Sequence, residues 1–486
     1  MKAMIITRHS LYLLGIVIFF ALMGCEEKNA NPLKPNIVFV FADDQRSETI
    51  HALGNSEIIT PNLDKLVSEG LSFTNAYIMG SYSGAVCLPS RMMLLTGKYL
   101  NNLTRNGSII PESDSTLGES LQKAGYNCYG IGKYHSQPQS YYRIFNDGNN
   151  IFFGGMHDQW NVPLNSYESI EHYERKMRPV INDFFYKKEI SYEVGEYMYG
   201  GKHSTDIFAE TAIDFIESYD SEKPFFLYTA LMTPHDPRTT HQKYYEMYDT
   251  ANISIPPNFM PQHPFDNGEM KVRDEMLAPF PRTKPIVKEH LRDYYALISH
   301  NDDRLGDIID ALKAKGIYDN TIIIYSGDNG LAVGQHGLFG KQNLYEHSTN
   351  IPLIITGKGI PTDTRSEAFV YLTDMFPTLC ELLEIPIPSS VDGSSFYHVF
   401  KDPGNDHHEF ITTTYKENQR AIRDEQYKLI RYRVNEEEHI QLFDLAEDPF
   451  ETKNLVEEDA YSAVLDRLNN SLFEQLKQLN DTIWVE

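Results

Sequence analysis

The sequence is poor in basic residues. Its 43 lysines and arginines are outnumbered by 68 aspartates and glutamates, which gives a formal net charge of −25 over 486 residues. This balance argues against a nucleic-acid-binding protein, whose surface would carry a basic face. It does not exclude an anionic substrate, because a pocket can be locally basic on an acidic protein. The chain also contains no internal repeat and no low-complexity segment.

Long apolar runs are scarce, and the one at residues 11–24 (LYLLGIVIFFALMG) follows Lys2 and Arg8. The run is too short for an ordinary membrane-spanning helix of about 20 residues and is typical of a signal peptide. It ends in LMGC, which resembles a bacterial lipobox and implies cleavage before Cys25 and lipid on the sulfur of Cys25. We therefore expect a signal peptide (1–24), a tether (25–34) and an exported bacterial lipoprotein, in the periplasm or at the cell surface and anchored in the outer membrane. Secretion without an anchor is the alternative.

Cysteine is rare, with four residues in the chain. Without Cys25, three remain, and an oxidising compartment favours paired cysteines. A disulfide between Cys128 and Cys380 is possible, but the sequence cannot establish it. Cys87 is then an odd thiol that needs an explanation.

Short β-rich runs at 36–42, 126–131, 225–232, 321–326 and 352–356 alternate with segments of helical periodicity. Among these segments, 116–125 opens with a predicted capping box of Thr116 and Glu119, and 290–316 repeats apolar residues at helical spacing over several turns. This alternation predicts an α/β fold with a large, mostly parallel sheet sandwiched by helices. The chain changes character near residue 405, where patterns of antiparallel strands precede a helix at 460–479. We expect a catalytic α/β domain (35–400) and a smaller C-terminal α+β subdomain built on a short antiparallel sheet (401–486). The proline-rich segment 253–287 reads as a long ordered loop.

Polar residues follow four of the predicted strands. In open α/β sheets, ligands bind beyond the carboxyl ends of the strands. Each residue alone has a structural explanation as a turn, a cap or a solvated side chain, but four coincidences at one sheet edge are less expected than one site. These residues are Asp43 and Asp44, Asp328 and Asn329, Lys133 and His135, and His235.

The three carboxylates and the amide form an oxygen-rich set. Ca²⁺ and Mg²⁺ prefer such ligands, whereas zinc and copper favour histidine or thiolate. A divalent cation beside Lys133 and Lys341 would make a strongly positive pocket. The sequence thus predicts a cation site that binds an anionic substrate.

The segment Cys87-Leu88-Pro89-Ser90-Arg91, followed by LLTG, resembles the signature of the type I sulfatases of the alkaline-phosphatase superfamily. Similar segments occur in order along nearly the whole mature chain. They are PNIVFVFADDQ, TPNLDKLVSEG, GKYH, TPHDP, YSGDNG, GQHGLFGK and LFDLAEDPFETKNL. Two positions depart from the family pattern: Tyr134 replaces a frequent tryptophan, and Asn350-Ile351 replaces a common Arg-Val.

The resemblance implies that a separate maturation enzyme oxidises Cys87 to Cα-formylglycine. Its hydrate is a geminal diol, in which one oxygen attacks sulfur and the other later expels sulfate without attack by water. The resemblance also implies that Ca²⁺, rather than Mg²⁺, contacts the converted Cys87 and is held by Asp43, Asp44, Asp328 and Asn329.

The remaining site roles are carried over from the family by position. Arg91 and Lys133 would fix the formylglycine, and Lys341 would clamp the sulfate. His235 would donate a proton to the leaving alcohol, and His135 would act as the base that releases sulfate. His336 would contact the substrate, although a structural role in its loop is an equal alternative.

The signature indicates a sulfate monoester and does not identify the alcohol. Arg238, the 253–287 segment and residues 136–180 are expected to set the substrate. Export favours a sulfated carbohydrate such as ulvan, carrageenan or a glycosaminoglycan. The alternatives are a phosphatase or phosphonate monoester hydrolase of the same superfamily, and a non-catalytic glycan-binding lipoprotein.

Overall fold

The computed structural model describes residues 34–167, 177–181 and 190–485, with only the backbone described for 177–181 and 190–194. The predicted signal peptide, Cys25 and nearly all of the tether lie outside these residues, as does part of the 136–180 segment. None of the described helices combines the length and hydropathy needed to cross a bilayer. Residues Pro35–Glu486 form one compact unit.

The strands of the described ranges are β1 (Asn36–Asp43), β2 (Gly70–Phe73), β3 (Ala76–Tyr77), β4 (Gly80–Ser81), β5 (Asn127–Lys133), β6 (Asp147–Phe152), β7 (Met177–Ile181), β8 (Ile190–Val194), β9 (Phe225–Pro234), β10 (Thr321–Gly327), β11 (Leu353–Thr356), β12 (Thr364–Ser366), β13 (Val370–Tyr371), β14 (Ile411–Tyr415), β15 (Gln419–Arg423), β16 (Tyr427–Val434) and β17 (Glu437–Asp444).

The α-helices of the same ranges are α1 (Pro61–Glu69), α2 (Cys87–Thr96), α3 (Leu117–Lys123), α4 (Pro138–Ile144), α5 (Ser204–Ser218), α6 (Gln242–Tyr245), α7 (Lys284–Ala314), α8 (Glu346–Thr349), α9 (Met375–Leu382), α10 (Tyr397–Lys401) and α11 (Ser462–Gln478). Short 3-10 helices cover His51–Leu53, Leu100–Asn102, Thr104–Gly107, Arg273–Leu277, Tyr318–Asn320, Leu372–Asp374 and Asp459–Tyr461.

Eight strands form the main sheet, in the order β12-β2-β11-β10-β1-β9-β5-β6. Only the β10–β11 and β11–β2 pairs of this sheet are antiparallel. Ala42 lies opposite Gly327 in β10, and Asp43 lies opposite Pro234 in β9, so these strands end at one edge. The predicted α/β class with a large, mostly parallel sheet is confirmed.

Helices cover both faces of this sheet, which explains why every residue of β1 is buried. Successive side chains of a strand point to opposite faces. Phe39 and Phe41 enter one apolar cluster, with α2, α3, α4 and α9, whereas Val38 and Val40 enter another, with α1, α5 and α7. Each such buried side chain stabilises the fold by about 1.5–3 kcal/mol.

Local sequence signals explain where several helices begin. The predicted capping box of α3 is present: the Thr116 hydroxyl accepts from the Glu119 amide, and the Glu119 carboxylate accepts from the Thr116 amide. Helix α7 begins at Lys284, before its predicted start at 290, because Pro285 is well suited to a first helical turn. The end of the predicted 253–287 loop therefore belongs to a helix.

The C-terminal strands β14–β17 form an antiparallel sheet, against which α11 packs through Leu468, Leu472 and Leu476. The α+β pattern of this region agrees with the sequence. Strand β4, far earlier in the chain, extends the sheet parallel to β14. The domain boundary between residues 400 and 401 stays a prediction.

Candidate active site

Four buried polar side chains meet at the ends of β1 and β10. Asp43 ends β1, Asp44 follows it, and Asp328 and Asn329 follow β10. The Asp44 amide donates to Asp328 Oδ1 at 3.0 Å, and Asn329 Nδ2 donates to Asp44 Oδ1 at 2.7 Å. Asp44 has a φ of 68°, a left-handed conformation that aspartate tolerates better than most residues. The predicted convergence of these strand ends is present in the structure.

These residues fit a hard cation. Within the described part of the chain, two of their buried oxygens, Asp43 Oδ1 and Asn329 Oδ1, have no hydrogen-bond partner. Such an orphaned acceptor costs about 1–3 kcal/mol. Burial, followed by the charge of Asp43, raises the pKa of Asp328 to about 7. A divalent cation would satisfy the oxygens and reverse this shift.

Cys87 is the first residue of α2 and is buried. One turn along, Arg91 donates through Nε to Asp328 Oδ2 at 2.9 Å and through Nη1 to the Lys133 carbonyl at 2.8 Å. Burial alone would lower the pKa of Arg91, but the charges of Asp328 and Asp43 outweigh burial and raise the pKa above its usual value. Arg91 therefore remains a cation and fixes α2 to the ends of β10 and β5.

The Cys87 sulfur faces three nitrogens. His135 Nδ1 lies 3.2 Å from Sγ, Lys133 Nζ 3.5 Å and Lys341 Nζ 4.0 Å. Burial raises the pKa of Cys87 to about 11, although both lysines oppose this shift. Burial, and then the charge of Lys133, hold the pKa of His135 well below its usual range. At neutral pH the unmodified thiol is therefore protonated, and His135 is neutral and able to accept a proton.

Both lysines are paired with the acidic cluster. Lys133 Nζ contacts Asp43 Oδ2, and Lys341 Nζ donates to Asp44 Oδ1 at 2.6 Å. Burial disfavours the charge of Lys341, but Asp44 and its neighbours raise its pKa well above the usual value. Burial raises the pKa of Asp44, but His235 and Lys341 together lower it to about 2. Lys341 therefore keeps its charge, and both lysine nitrogens lie beside Cys87, where an anion would bind.

His235 follows β9 and turns toward the same cluster. Its Nδ1 donates to the Asp236 carbonyl at 2.8 Å, and its Nε2 lies 3.7 Å from Asp44 Oδ2. Burial is the main reason why the pKa of His235 is lowered. The Asp236 carboxylate binds both terminal nitrogens of Arg273, at 2.5 and 2.9 Å. This ion pair connects the proline-rich segment to the loop that carries His235.

The two predicted substrate residues have different surroundings. Arg238 Nη1 contacts His290 at 3.0 Å, while its buried Nε and Nη2 lack partners among the described residues. His336 stacks on Tyr345 with ring centroids 3.8 Å apart, and its Nε2 contacts Asn258 at 3.0 Å. These contacts favour a structural role for His336, and its predicted substrate contact is untested.

Two supporting residues were not predicted from the sequence. The Tyr294 hydroxyl donates to the Asp44 carbonyl at 2.6 Å. Glu275 accepts from the amides of Phe339 and Gly340, which fixes the backbone directly before Lys341. No short motif marks either residue, because each acts across a contact between distant segments.

Two family models match the chain. The sulfatase model matches residues 35–385, and the model of the C-terminal region of N-sulphoglucosamine sulphohydrolase matches residues 334–478. Together they cover most of the residues that the structure describes.

Known proteins resemble the chain along most of its length. An N-acetylglucosamine-6-O-sulfatase of Bacteroides thetaiotaomicron is 26% identical over 93% of this chain and 89% of the relative. An ulvan-active sulfatase of Formosa agariphila is 26% identical over 96% and 87%. A solved structure in complex with its substrate D-glucosamine-2-N,6-O-disulfate has a TM-score of 0.73 at 25% identity, over 92% of this chain and 99% of that one.

The fold, the geometry around Cys87 and the family match at 35–385, which spans more than half of the chain, lead to one conclusion. The chain belongs to the sulfatase family, and the protein is a sulfuric ester hydrolase with the alkaline-phosphatase-like fold.

Proposed function

We propose that the protein removes sulfate from a carbohydrate, with Cys87, after conversion to formylglycine, as the nucleophile. One observation carries the proposal: the Cys87 sulfur lies within 4.0 Å of His135, Lys133 and Lys341, beside a cluster of buried carboxylates. The relatives support a sugar substrate, since they are named for N-acetylglucosamine-6-sulfate and ulvan.

Conversion of Cys87 explains how a buried thiol can serve this chemistry. With a pKa of about 11, the unmodified thiol is a poor nucleophile at neutral pH. Formylglycine supplies, once hydrated, a geminal diol that can attack sulfur and later release sulfate. Because Cys87 is buried, we expect the maturation enzyme to act before folding is complete.

Asp43, Asp44, Asp328 and Asn329 would hold the cation, which the converted Cys87 would also contact. We propose Ca²⁺ rather than Mg²⁺, because the set supplies three carboxylates and an amide oxygen, whereas Mg²⁺ is usually held by one or two carboxylates and keeps several waters. When bound, the cation supplies Lewis-acid polarisation of a sulfate oxygen.

The surrounding side chains would bind the anion and move protons. Lys133 and Lys341 neutralise the sulfate charge, and Arg91 holds α2 in place. Neutral His135, at 3.2 Å from Sγ, is placed to take a proton from the group at position 87. The Nε2 of His235 faces the cluster, and a bound anion would raise the pKa of His235 and favour the protonated form that donates to the leaving alcohol.

Substrate choice would depend on groups around this core. Arg238 has two buried donors without partners among the described residues, so it is suited to hydroxyl, carboxylate or sulfate groups of a sugar. We further propose that the protein is an exported lipoprotein held by lipid on Cys25. Mass spectrometry of the N-terminal peptide and fractionation of cells that carry Cys25→Ser would test the anchor.

The decisive experiment uses protein produced with and without the maturation enzyme. Mass spectrometry of the peptide that contains Cys87 is expected to show the aldehyde or its hydrate only in the first sample. That sample is expected to release sulfate from sulfated mono- and oligosaccharides. Faster release of phosphate from phosphate esters would favour the phosphatase alternative, and saturable glycan binding without turnover would favour a binding protein.

A further inference from the structure

Two histidines and an aspartate converge at the start of α9. Asp374, which immediately precedes this helix, is fully buried, and His407 and His408 lie between α10 and β14. His408 Nε2 lies 2.8 Å and His407 Nε2 3.6 Å from the same oxygen, Asp374 Oδ2. All three donor atoms lie within 4.8 Å of one another.

This arrangement matches the donor spacing of a zinc site. Ligands that bind tetrahedral zinc at about 2.0–2.1 Å lie roughly 3.3 Å apart, and the two distances to Asp374 bracket that value. Two imidazoles and one carboxylate suit Zn²⁺, whereas Ca²⁺ and Mg²⁺ prefer oxygen ligands alone.

Further contacts fix the orientation of the donors. The amide of Tyr371 donates to Asp374 Oδ2 at 2.8 Å, and the amide of Ser394 donates to Oδ1 at 3.0 Å. The His408 amide donates to the Phe369 carbonyl at 3.3 Å. Such outer contacts hold metal ligands in the orientation that binding requires.

A cleft of about 1230 Å³ reaches both histidines and opens the site to solvent. Its lining includes two arginines, Arg365 and Arg467, and Arg467 is paired with Asp424 at 2.6 Å. Its acidic side chains outnumber these arginines, so the cleft attracts cations and disfavours sulfated glycans. These side chains are Glu367, Asp406, Glu409, Asp424 and Glu425.

A second cluster, of His203, Asp206 and His300, differs in its hydrogen bonds. His203 Nε2 donates to the Thr239 carbonyl at 2.8 Å, and Nδ1 accepts from the Thr205 amide at 3.2 Å. His300 likewise uses one nitrogen on Asp206 and the other on a threonine hydroxyl. Both ring nitrogens of each of these histidines are therefore used, which favours a structural role for the second cluster. The hydrogen bonds of His407 and His408 involve Nε2: His407 Nε2 lies 3.1 Å from the Ser394 hydroxyl, and a zinc ion would replace this contact and the one between His408 and Asp374.

We propose that Asp374, His407 and His408 bind a zinc ion, with water from the cleft as the fourth ligand. The ion links the segment between α10 and β14, which carries both histidines, to Asp374 at the start of α9. It thereby stabilises the segment that leads into the C-terminal sheet. This site is separate from the proposed sulfatase chemistry, because none of its three ligands belongs to the candidate active site.

The test titrates the full-length protein with Zn²⁺ after chelator treatment, in millimolar Ca²⁺ that keeps the oxygen-rich site occupied. Wild type is expected to bind one equivalent of Zn²⁺ more than His407→Gln or His408→Gln. Added Zn²⁺ is expected to raise the Tm of wild type by several degrees and to leave the Tm of these two variants unchanged. His398→Gln is the matched control, since its ring lies 5.4 Å from that of His407 but outside the donor set. It is expected to bind zinc like wild type.

Co²⁺ titration of wild type tests the site even if a variant fails to fold. The wild-type protein is expected to show the intense visible absorption bands of tetrahedral Co²⁺. The proposal is overturned if wild type binds no zinc at micromolar concentration and shows no such bands. It is also overturned if folded His407→Gln and His408→Gln both bind as much zinc as wild type.

Discussion

The guanidinium of Arg91 is bound to the carboxylate of Asp328, with Nε and Nη2 at 2.9 and 2.8 Å from Oδ2. Both side chains are completely buried, and the pair joins the helix of Cys87 to the end of β10. Loss of one partner would leave an uncompensated buried charge, which typically costs about 3–5 kcal/mol. The position of Cys87 is therefore fixed relative to the acidic cluster.

Replacement of Cys87 tests the nucleophile. Cys87→Ala is expected to reduce sulfate release by roughly 10⁴-fold or more, because no diol can form at this position. Cys87→Ser should keep the fold and stay inactive in a host that cannot convert serine. Cys128→Ala is the control, since Cys128 is also a buried, free cysteine. Appreciable turnover by Cys87→Ala would refute the assignment.

Replacement of His235 tests proton donation to the leaving alcohol. We expect His235→Ala to lower kcat/KM for an alkyl or sugar sulfate by about 10²–10⁴-fold, the usual range for a general acid. An aryl sulfate with an acidic phenol needs little protonation, so its loss should be much smaller. His398→Gln should affect neither substrate class. Equal losses for both classes would exclude this role for His235.

Removal of the cation tests the oxygen-rich site. Chelation is expected to abolish activity, and added Ca²⁺ should restore it in wild type. Asp328→Ala removes both a ligand and the partner of Arg91, so we expect a loss of at least about 100-fold that ordinary Ca²⁺ concentrations do not rescue. Metal analysis should show the missing ion, and Asp310→Ala, at an exposed position, should behave as wild type. Full activity of metal-stripped wild type would contradict the ligand set.

A buried ion network links α8 to the C-terminal sheet, and a substitution in it tests how much it stabilises the fold. Lys428 binds Glu346 at 2.9 Å and Glu451 at 2.8 Å, and Arg423 also binds Glu346. Lys428→Met leaves the buried glutamates short of one cation and should cost about 3–5 kcal/mol in the free energy of unfolding. Lys477→Met, which breaks an exposed pair, should leave the Tm unchanged. Similar denaturant midpoints for the two variants would show that the network is not stabilising.

Buried histidines predict that stability falls in mild acid. Burial lowers the pKa of His263 and of His290 to about 4. These histidines bind protons more tightly in the unfolded chain than in the folded protein. Their neutral forms therefore contribute fully to the free energy of unfolding above pH 6.5, and this contribution is lost as the pH falls toward 4. The slope is at most about 1.4 kcal/mol per pH unit for each histidine.

His263→Gln should therefore show a shallower loss of stability between pH 7 and 5 in urea denaturation, even if it is less stable at pH 7. A wild-type slope for His263→Gln would show that its protonation does not differ between the folded and unfolded states.

The sequence predicts the main sheet well because long buried strands leave apolar runs. β1, β9 and β10 each leave such a run, which predicts that the polar residues at their carboxyl ends lie at one edge. Strands of two to four residues, such as β3, β4 and β12, leave no period to detect. The antiparallel direction of β11 depends on tertiary packing and could not be read from its short apolar run.

The same limit applies to the site. Asp43, Asp328 and Lys133 follow recognisable strands, so their convergence was predictable. The pairing of Asp236 with Arg273 and the contact of Tyr294 with Asp44 join segments that have no shared pattern. His336 lies in a segment that resembles the family, but the sequence could not show that it stacks on Tyr345.

The pairing of β4 with β14 constrains when the fold around β4 can form during synthesis. Gly80 lies opposite Thr414, so the strand just before Cys87 has no partner until most of the polypeptide has been synthesised. Throughout that interval the segment around Cys87 cannot reach its final packing. A nascent-chain truncation that ends before residue 411 should therefore leave the thiol open to alkylating reagents, whereas the completed protein should shield it.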